Sequence, residues 1–444
     1  MRHPEASLVS RQPGADAPPG ATVGGLTNAV LAGRTTRGEG RPATNLVGGW
    51  PGFRGPNLSG ISPTTVKLAR AWGRTGPRVL WGVEVGEGYA GPAIRNGSVY
   101  LMDYDREKRQ DALRCLSLAD GREVWRFAYP VSVKRNHGMS RTVPAVTERS
   151  VVTIGPKCHV ACVDAGSGEL RWGLDMVRQF GATVPQWYAG QCPLIDGDKV
   201  ILAPSGDCLM MAVDLATGKI LWRSPNPRAW KMTHTSITPM EFDGKRMYLY
   251  SASDGVAGVA AADGQTLFES DIWTVPNAAC ASPVVVGTDR IFFSGGYGAG
   301  CLMAQLKLVD GKITMNPLWR LKPTEFGSTQ HTPILYRDHL YGIRPDGQFA
   351  CLDLNGKIVW KSGAADRFGA LGRSPYLLAN GLYYILSEEG RLVLAEATSS
   401  GYRQLSAAQI LGHETDGPLV MAAGRLFCRD LTTLVCLDAT GGKR

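Results

Sequence analysis

Nowhere in the 444 residues does an apolar run approach the roughly eighteen needed for a membrane-spanning helix, which excludes a helical transmembrane segment. Blocks of five or more like charges are also missing, although the net charge is +9. The 48 lysines and arginines are dispersed, which fits a solvated basic surface and not the one-sided footprint of a nucleic-acid binder. The first cysteine is Cys115, so the chain as written offers no N-terminal site for lipid attachment. Cys158 and Cys162 lie four apart without a second pair at zinc-site spacing. No nucleophile motif stands out. The glycine-rich run 294–300 falls between strand signals and does not open a helix, so it is not a phosphate cradle.

Glycine, by contrast, is abundant: 55 residues against 27 prolines, a composition suited to many tight turns. The stretch from Pro193 to Trp222 shows what the turns connect. Leu194 and Ile195 begin a first strand, and Asp196-Gly197 has the chemistry of a hairpin turn. Val200–Leu202 forms a second strand and Met210–Asp214 a third. The turn from Asp214 to Gly218 then leads into a fourth strand ending on Trp222. This four-strand paragraph is rewritten along the chain. Prolines 92, 144, 193, 239, 283, 333, 375 and 418 open successive copies at intervals of 42 to 52 residues, close to the period of four-stranded propeller blades.

The closing anchor recurs as Trp125, Trp172, Trp222, Phe268, Trp319 and Trp360, degrading to Leu405. Such a residue is read as a core wedge between blades, worth about 3–5 kcal/mol. Cys115, Cys162, Cys351 and Cys436 share one repeat position that Ala212 fills elsewhere, which marks a small buried core site. Cys428 and Cys436 flank a hairpin, where a cross-strand bridge stays open. The eighth copy stops after Cys436–Ala439 without a fourth strand, whereas Val79–Val83 stands alone before the first. Joining them closes the ring and removes exposed strand edges. The expected architecture is therefore all-β: an eight-bladed propeller over 79–444, preceded by a disordered leader (1–48) and an extended clamp segment (49–78).

The Asp-x-x-Thr-Gly-Lys-x-x-Trp ending of Asp214–Trp222, with looser copies at 164–172 and 118–125, resembles the pyrroloquinoline-quinone (PQQ) type repeat. That repeat builds the eight-bladed propellers of bacterial quinoprotein alcohol dehydrogenases and of non-catalytic relatives in outer-membrane-protein assembly. The opening WPGFRGPN is similar to leaders of large propellers with this repeat. The resemblance spans roughly residues 50–444. Quinoprotein dehydrogenases imply a vicinal Cys-Cys disulfide, a calcium held by Glu, Asn and Asp, and a catalytic Asp. This chain has no adjacent cysteines, and no residue can be carried over to those roles. The resemblance thus implies a binding scaffold in the bacterial envelope without cofactor; the alternative is a divergent dehydrogenase using PQQ and calcium. No clear secretory signal stands in this chain, so a cytoplasmic location stays open.

Residues just before each blade's proline line the channel mouth. They are Arg141, Gln191, His234, Gln330, His331, Arg373, His413, Glu414 and Asp416, with Tyr89, Trp187 and Tyr188 as aromatic walls. Loops 126–142 and 223–237 carry net +4 and +3, whereas 269–281 and 406–416 carry −2 each, and such asymmetry orients a partner. The expected occupant is a protein or extended peptide, or a glycan on the aromatic rim, bound by a monomer. The competing reading has these polar residues bonding neighbouring blades. Convergence of the three histidines on a metal, or an acid/base pair of His413 with Glu414 or Asp416, is the less favoured outcome.

Overall fold

The computed structural model describes residues 28–369 and 371–441. Eight antiparallel sheets follow one another, each containing four strands of the repeat. In blade 3 the strands are Leu194–Asp196, Lys199–Leu202, Cys208–Asp214 and Ile220–Pro225, ordered from the channel outwards. Blade 8 has three C-terminal strands, Val420–Ala422, Arg425–Arg429 and Thr433–Asp438. Its fourth is Val79–Glu84, with Trp81 opposite Cys436. The ring is closed as expected. Among the described residues no helix is long and apolar enough to cross a membrane.

The turns explain the glycines. Asn96-Gly97, Asp243-Gly244 and Asn380-Gly381 each have two consecutive positive φ values, the geometry of a type I′ hairpin. In blade 3 the register moves this turn one residue on: Asp196 pairs with Lys199, leaving Gly197 and Asp198 at the tip.

The tryptophans do more than fill space. The indole Nε1 of Trp81, Trp125, Trp172, Trp222, Trp319 and Trp360 donates to a backbone carbonyl in the next blade, at 2.9–3.3 Å. In five of these six turns a glycine at positive φ packs under the same ring; a Cβ on Gly168 would sit 2.6 Å from Trp125, whereas Gly401, in the turn that receives Trp360, has nothing within 4 Å. Cys115, Cys162, Cys351 and Cys436 lie directly across the ladder from Trp125, Trp172, Trp360 and Trp81, as Ala212 does from Trp222. The position is small in these five blades but not in every one, since Met303 stands across from Trp319. All ten cysteines are free. Cys428 pairs with Val435 while Phe427 pairs with Cys436, so the two thiols point to opposite faces and no bridge can form.

The leader expectation needs correction where it can be seen. Residues 1–27 lie outside the described residues, but part of 28–48 is ordered. Ala29–Ala32 forms a 3-10 turn that buries Val30, and Arg34–Arg37 adds a fifth strand to the outer edge of blade 1. An open sheet edge recruits an extended chain regardless of its composition, which is why composition alone misses this strand.

The segment expected to clamp the body crosses the channel. Trp50 bridges to Ile94 on the inner strand of blade 1, and Ile61–Ser62 pairs in parallel with Leu378–Ala379 on the inner strand of blade 7. Between them Arg54 donates to the carbonyls of Leu58, Ser59, Thr332 and Pro333 at 2.6–3.2 Å. Burial lowers its guanidinium to about 10. The segment turns an open channel into a blind funnel.

Candidate functional site

The strand-linking loops bring seven of the twelve anticipated mouth residues around one cavity: Tyr89, Arg141, Trp187, His234, Gln330, His331 and Asp416. Its volume is about 120 Å³, and Phe53 of the crossing segment belongs to its wall. The remaining five serve elsewhere. Gln191 is fully buried and bonds both the N–H and the C=O of Ala203, a purely structural task. Tyr188 is buried among Tyr104, Val133 and Met139, its hydroxyl on the Lys134 carbonyl at 2.8 Å, so it backs the loop and is no wall. Arg373 stands behind the cavity, 3.5 Å from Asp416 and 3.3 Å from Glu388. Glu414 accepts the Tyr89 hydroxyl at 3.2 Å, and His413 is exposed beyond the rim.

Sequence reasoning missed Cys280, His137 and Tyr297, which also line the cavity. Cys280 lies three residues before Pro283, so the same reading-back rule, applied to blade 5, reaches it. Tyr297 belongs to the glycine-rich run 294–300, whose spacing speaks only against a phosphate loop. His137 is seven residues from its proline and carries no such signal.

The charged groups are only partly satisfied internally: Arg141 Nε and Asp416 Oδ1 are buried without a hydrogen-bond partner. Arg141 donates to the carbonyls of Asn136, His137 and Gly138 and lies 5.6 Å over the Tyr89 ring, with its guanidinium lowered by burial. His331 bonds the Asp416 carbonyl through Nε2 at 3.1 Å. Burial pushes His331 down to about 4 and His234 to about 3, so both rings are neutral at physiological pH. Asp416 is pushed up by burial to about 6, with Arg373 opposing the rise. Two of the bipolar loops neutralise one another in part, Arg228 pairing with Glu269 at 3.5 Å, and Arg135 pairs outside them with Glu87 at 2.5 Å.

This arrangement offers little for catalysis. A reactive cysteine needs a depressed pKa, whereas burial raises the Cys280 thiol to about 12. Among the described residues no three of His, Cys, Asp and Glu are grouped to hold a metal. Calcium takes six to eight oxygen ligands, so the residues converging here do not fit a calcium–PQQ pair.

A family profile described as "Outer membrane protein assembly factor BamB" matches residues 108–362. The chain belongs to that family. A curated member, outer membrane protein assembly factor BamB of Moranella endobia, is 20% identical over 359 residues, 75% of this chain and 73% of its own. Among solved structures, BamB from Moraxella catarrhalis superposes with a TM-score of 0.55 at 14% identity, covering 81% of this chain and 99% of its own. Quinohemoprotein alcohol dehydrogenase from Comamonas testosteroni gives 0.61 at 12% identity, covering 89% and 81%. At such identities the likeness to both structures is one of fold.

Proposed function

We propose that this chain is a non-catalytic PQQ-repeat propeller of the bacterial cell envelope that works as a binding scaffold, seating a partner protein on its loop face over the funnel. The observation that carries this reading is the blind funnel itself. Small-molecule and cofactor sites usually enclose about 300–1,000 Å³. The funnel, floored by Phe53, has about 120 Å³. That is room for one anchoring side chain, with the flanking contacts made on the rim. Trp187 and Tyr297 supply aromatic surface there, the residue type on which interface energy concentrates. Membership of a family described by an assembly factor supports the choice of a protein partner and of the envelope.

The test is copurification of partners from native cells with the full chain and with Trp187→Ala and Tyr297→Ala. Partner recovery is expected to fall about tenfold or more at unchanged melting temperature. Equal recovery would remove the loop face from the mechanism. In parallel, the protein is supplied with PQQ and calcium and followed by absorbance and dye-linked alcohol oxidation. Stoichiometric binding with turnover would overturn the non-catalytic reading in favour of a dehydrogenase.

A further inference from the structure

Beyond Phe53 the channel is filled unevenly. The crossing segment hugs one side: Trp50 exchanges both backbone bonds with Ile94, Pro51 accepts from Val146, and Ile61–Ser62 runs along Leu378–Ala379. These partners are the inner strands of blades 1, 2 and 7. Among the described residues no backbone bond ties the segment to the inner strands of blades 3, 4 or 5. Beside them lies a cavity of about 420 Å³, more than three times the funnel's 120 Å³. Its walls are the inner strand of blade 3, the Thr238–Pro239 end of blade 4's, and Phe53, Pro56 and Leu58 of the segment.

An inner propeller strand is an edge strand, with alternate N–H and C=O groups aimed into the channel. On three blades the chain supplies its own extended backbone to those groups. On blades 3 and 4 it leaves them open beside apolar walls, continuous with the interface the segment already makes. The lining charges are Arg54, Arg95 and Arg246 against Asp196. Arg54 is committed to carbonyls, but Arg95 only meets the exposed Glu148 at 3.3 Å, a kind of surface pair worth little, and its Nε is buried without a hydrogen-bond partner.

We propose that this cavity receives an extended, acid-bearing segment of a partner protein, which adds as a strand to the inner edge of blade 3 and places a carboxylate at Arg95. This is β-augmentation inside the ring, of the kind that the chain's own segment already performs on blades 1, 2 and 7. It does not depend on the loop-face reading, because the two cavities share only Phe53 and Cys192 of their walls.

The test starts from a phage-displayed library of random dodecapeptides selected on the full chain, followed by synthesis of the best binder. Main-chain pairing requires every second peptide N–H. N-methylation along the peptide is therefore expected to weaken binding about tenfold or more at alternate positions and little between them. Ile195→Trp, which fills the cavity, is expected to abolish binding, and Arg95→Ala to weaken it several-fold for peptides with a carboxylate. The methylation series alters nothing in the protein, so it stands even if Ile195→Trp fails to fold. Recovery of no binder would overturn the proposal. So would tolerance of methylation at every position, or loss on Trp187→Ala with none on Ile195→Trp.

Discussion

At the residue scale the Trp–carbonyl bonds make the blade interfaces directional, and they differ in a way that can be measured. The Leu215 carbonyl takes the Trp172 indole at 2.9 Å and otherwise only a weak Cys162 thiol contact at 3.7 Å. The Ala165 carbonyl takes Trp125 and keeps a second bond from the Tyr100 hydroxyl, both at 3.2 Å. A lost bond costs more when it orphans its partner. Trp172→Phe is therefore expected to lose about 1–2 kcal/mol in urea unfolding and Trp125→Phe less, after matching for the same loss of ring volume. The reverse order would show that the indole nitrogen is incidental. A second residue-scale case is Asp111, fully buried between blades 1 and 2, whose Oδ2 accepts the Tyr129 hydroxyl at 2.5 Å. Burial pushes this carboxyl up to about 7, with Asp103 adding to the rise. The folded state then holds a proton that the unfolded state releases near pH 4, so stability falls as pH rises from about 4 to about 7. His234 and His331, depressed to about 3 and 4, oppose this, since they remove stability as pH falls below the ordinary histidine range. The wild-type profile mixes both signs, and the difference between Asp111→Asn and wild type isolates one. The variant is expected to gain on wild type between pH 4 and 7, by at most about 1.4 kcal/mol per pH unit. A constant difference would refute the buried acid.

At the element scale the crossing segment is the least expected part of the molecule and depends on one side chain. Arg54 joins two carbonyls of its own loop to two from blade 6, and none of these has another obvious donor. Arg54→Ala is expected to cost about 2–4 kcal/mol, because it strands buried acceptors as well as deleting bonds. It is also expected to open residues 50–62 to protease before the blades unfold. Arg54→Lys should rescue little, since an ammonium cannot fork to four carbonyls. Cleavage at unchanged rate would mean that Trp50 and Ile61 hold the segment unaided. This element also marks where sequence legibility ends. Blade boundaries, hairpin turns and anchors were readable because each is local chemistry that recurs from blade to blade. WPGFRGPN was readable as a packed segment from its aromatics and its lone arginine. Its path was not, because nothing in a single copy says which distant strands will present carbonyls to Arg54. The fifth strand Arg34–Arg37 was hidden for the same reason: its partner, not its composition, makes it a strand. At the mouth, reading back from the prolines located the right loops but could not tell Gln191, turned inward to Ala203, from Gln330, which lines the cavity.

At the scale of the whole molecule, stability rests on a closure between strands separated by nearly the entire chain. Gly82 lies opposite Val435, and a Cβ on Gly82 would meet the Val435 side chain at an ordinary 3.6 Å. Replacing both with cysteine would staple the ring where the first and last repeats meet. Chain-entropy arguments give about 6 kcal/mol for a loop of this length, less whatever strain the bridge introduces. Native Cys428 lies directly across the ladder from Val435, so the staple is built on a Cys428→Ala background. Cys436 beside it is held as a thiol, since burial raises it to about 12. The oxidised Gly82→Cys/Val435→Cys protein is expected to melt several degrees above the same protein under reductant, and to unfold more slowly. If global unfolding begins by parting blade 8, the slowing should be large. If it begins instead at the interface where Phe268 replaces tryptophan and no indole bond crosses to the next blade, the staple should raise the melting temperature but leave the unfolding rate nearly unchanged. Unfolding kinetics of the oxidised and reduced forms therefore locate the weakest joint of the ring, because a constraint slows only the opening that must break it.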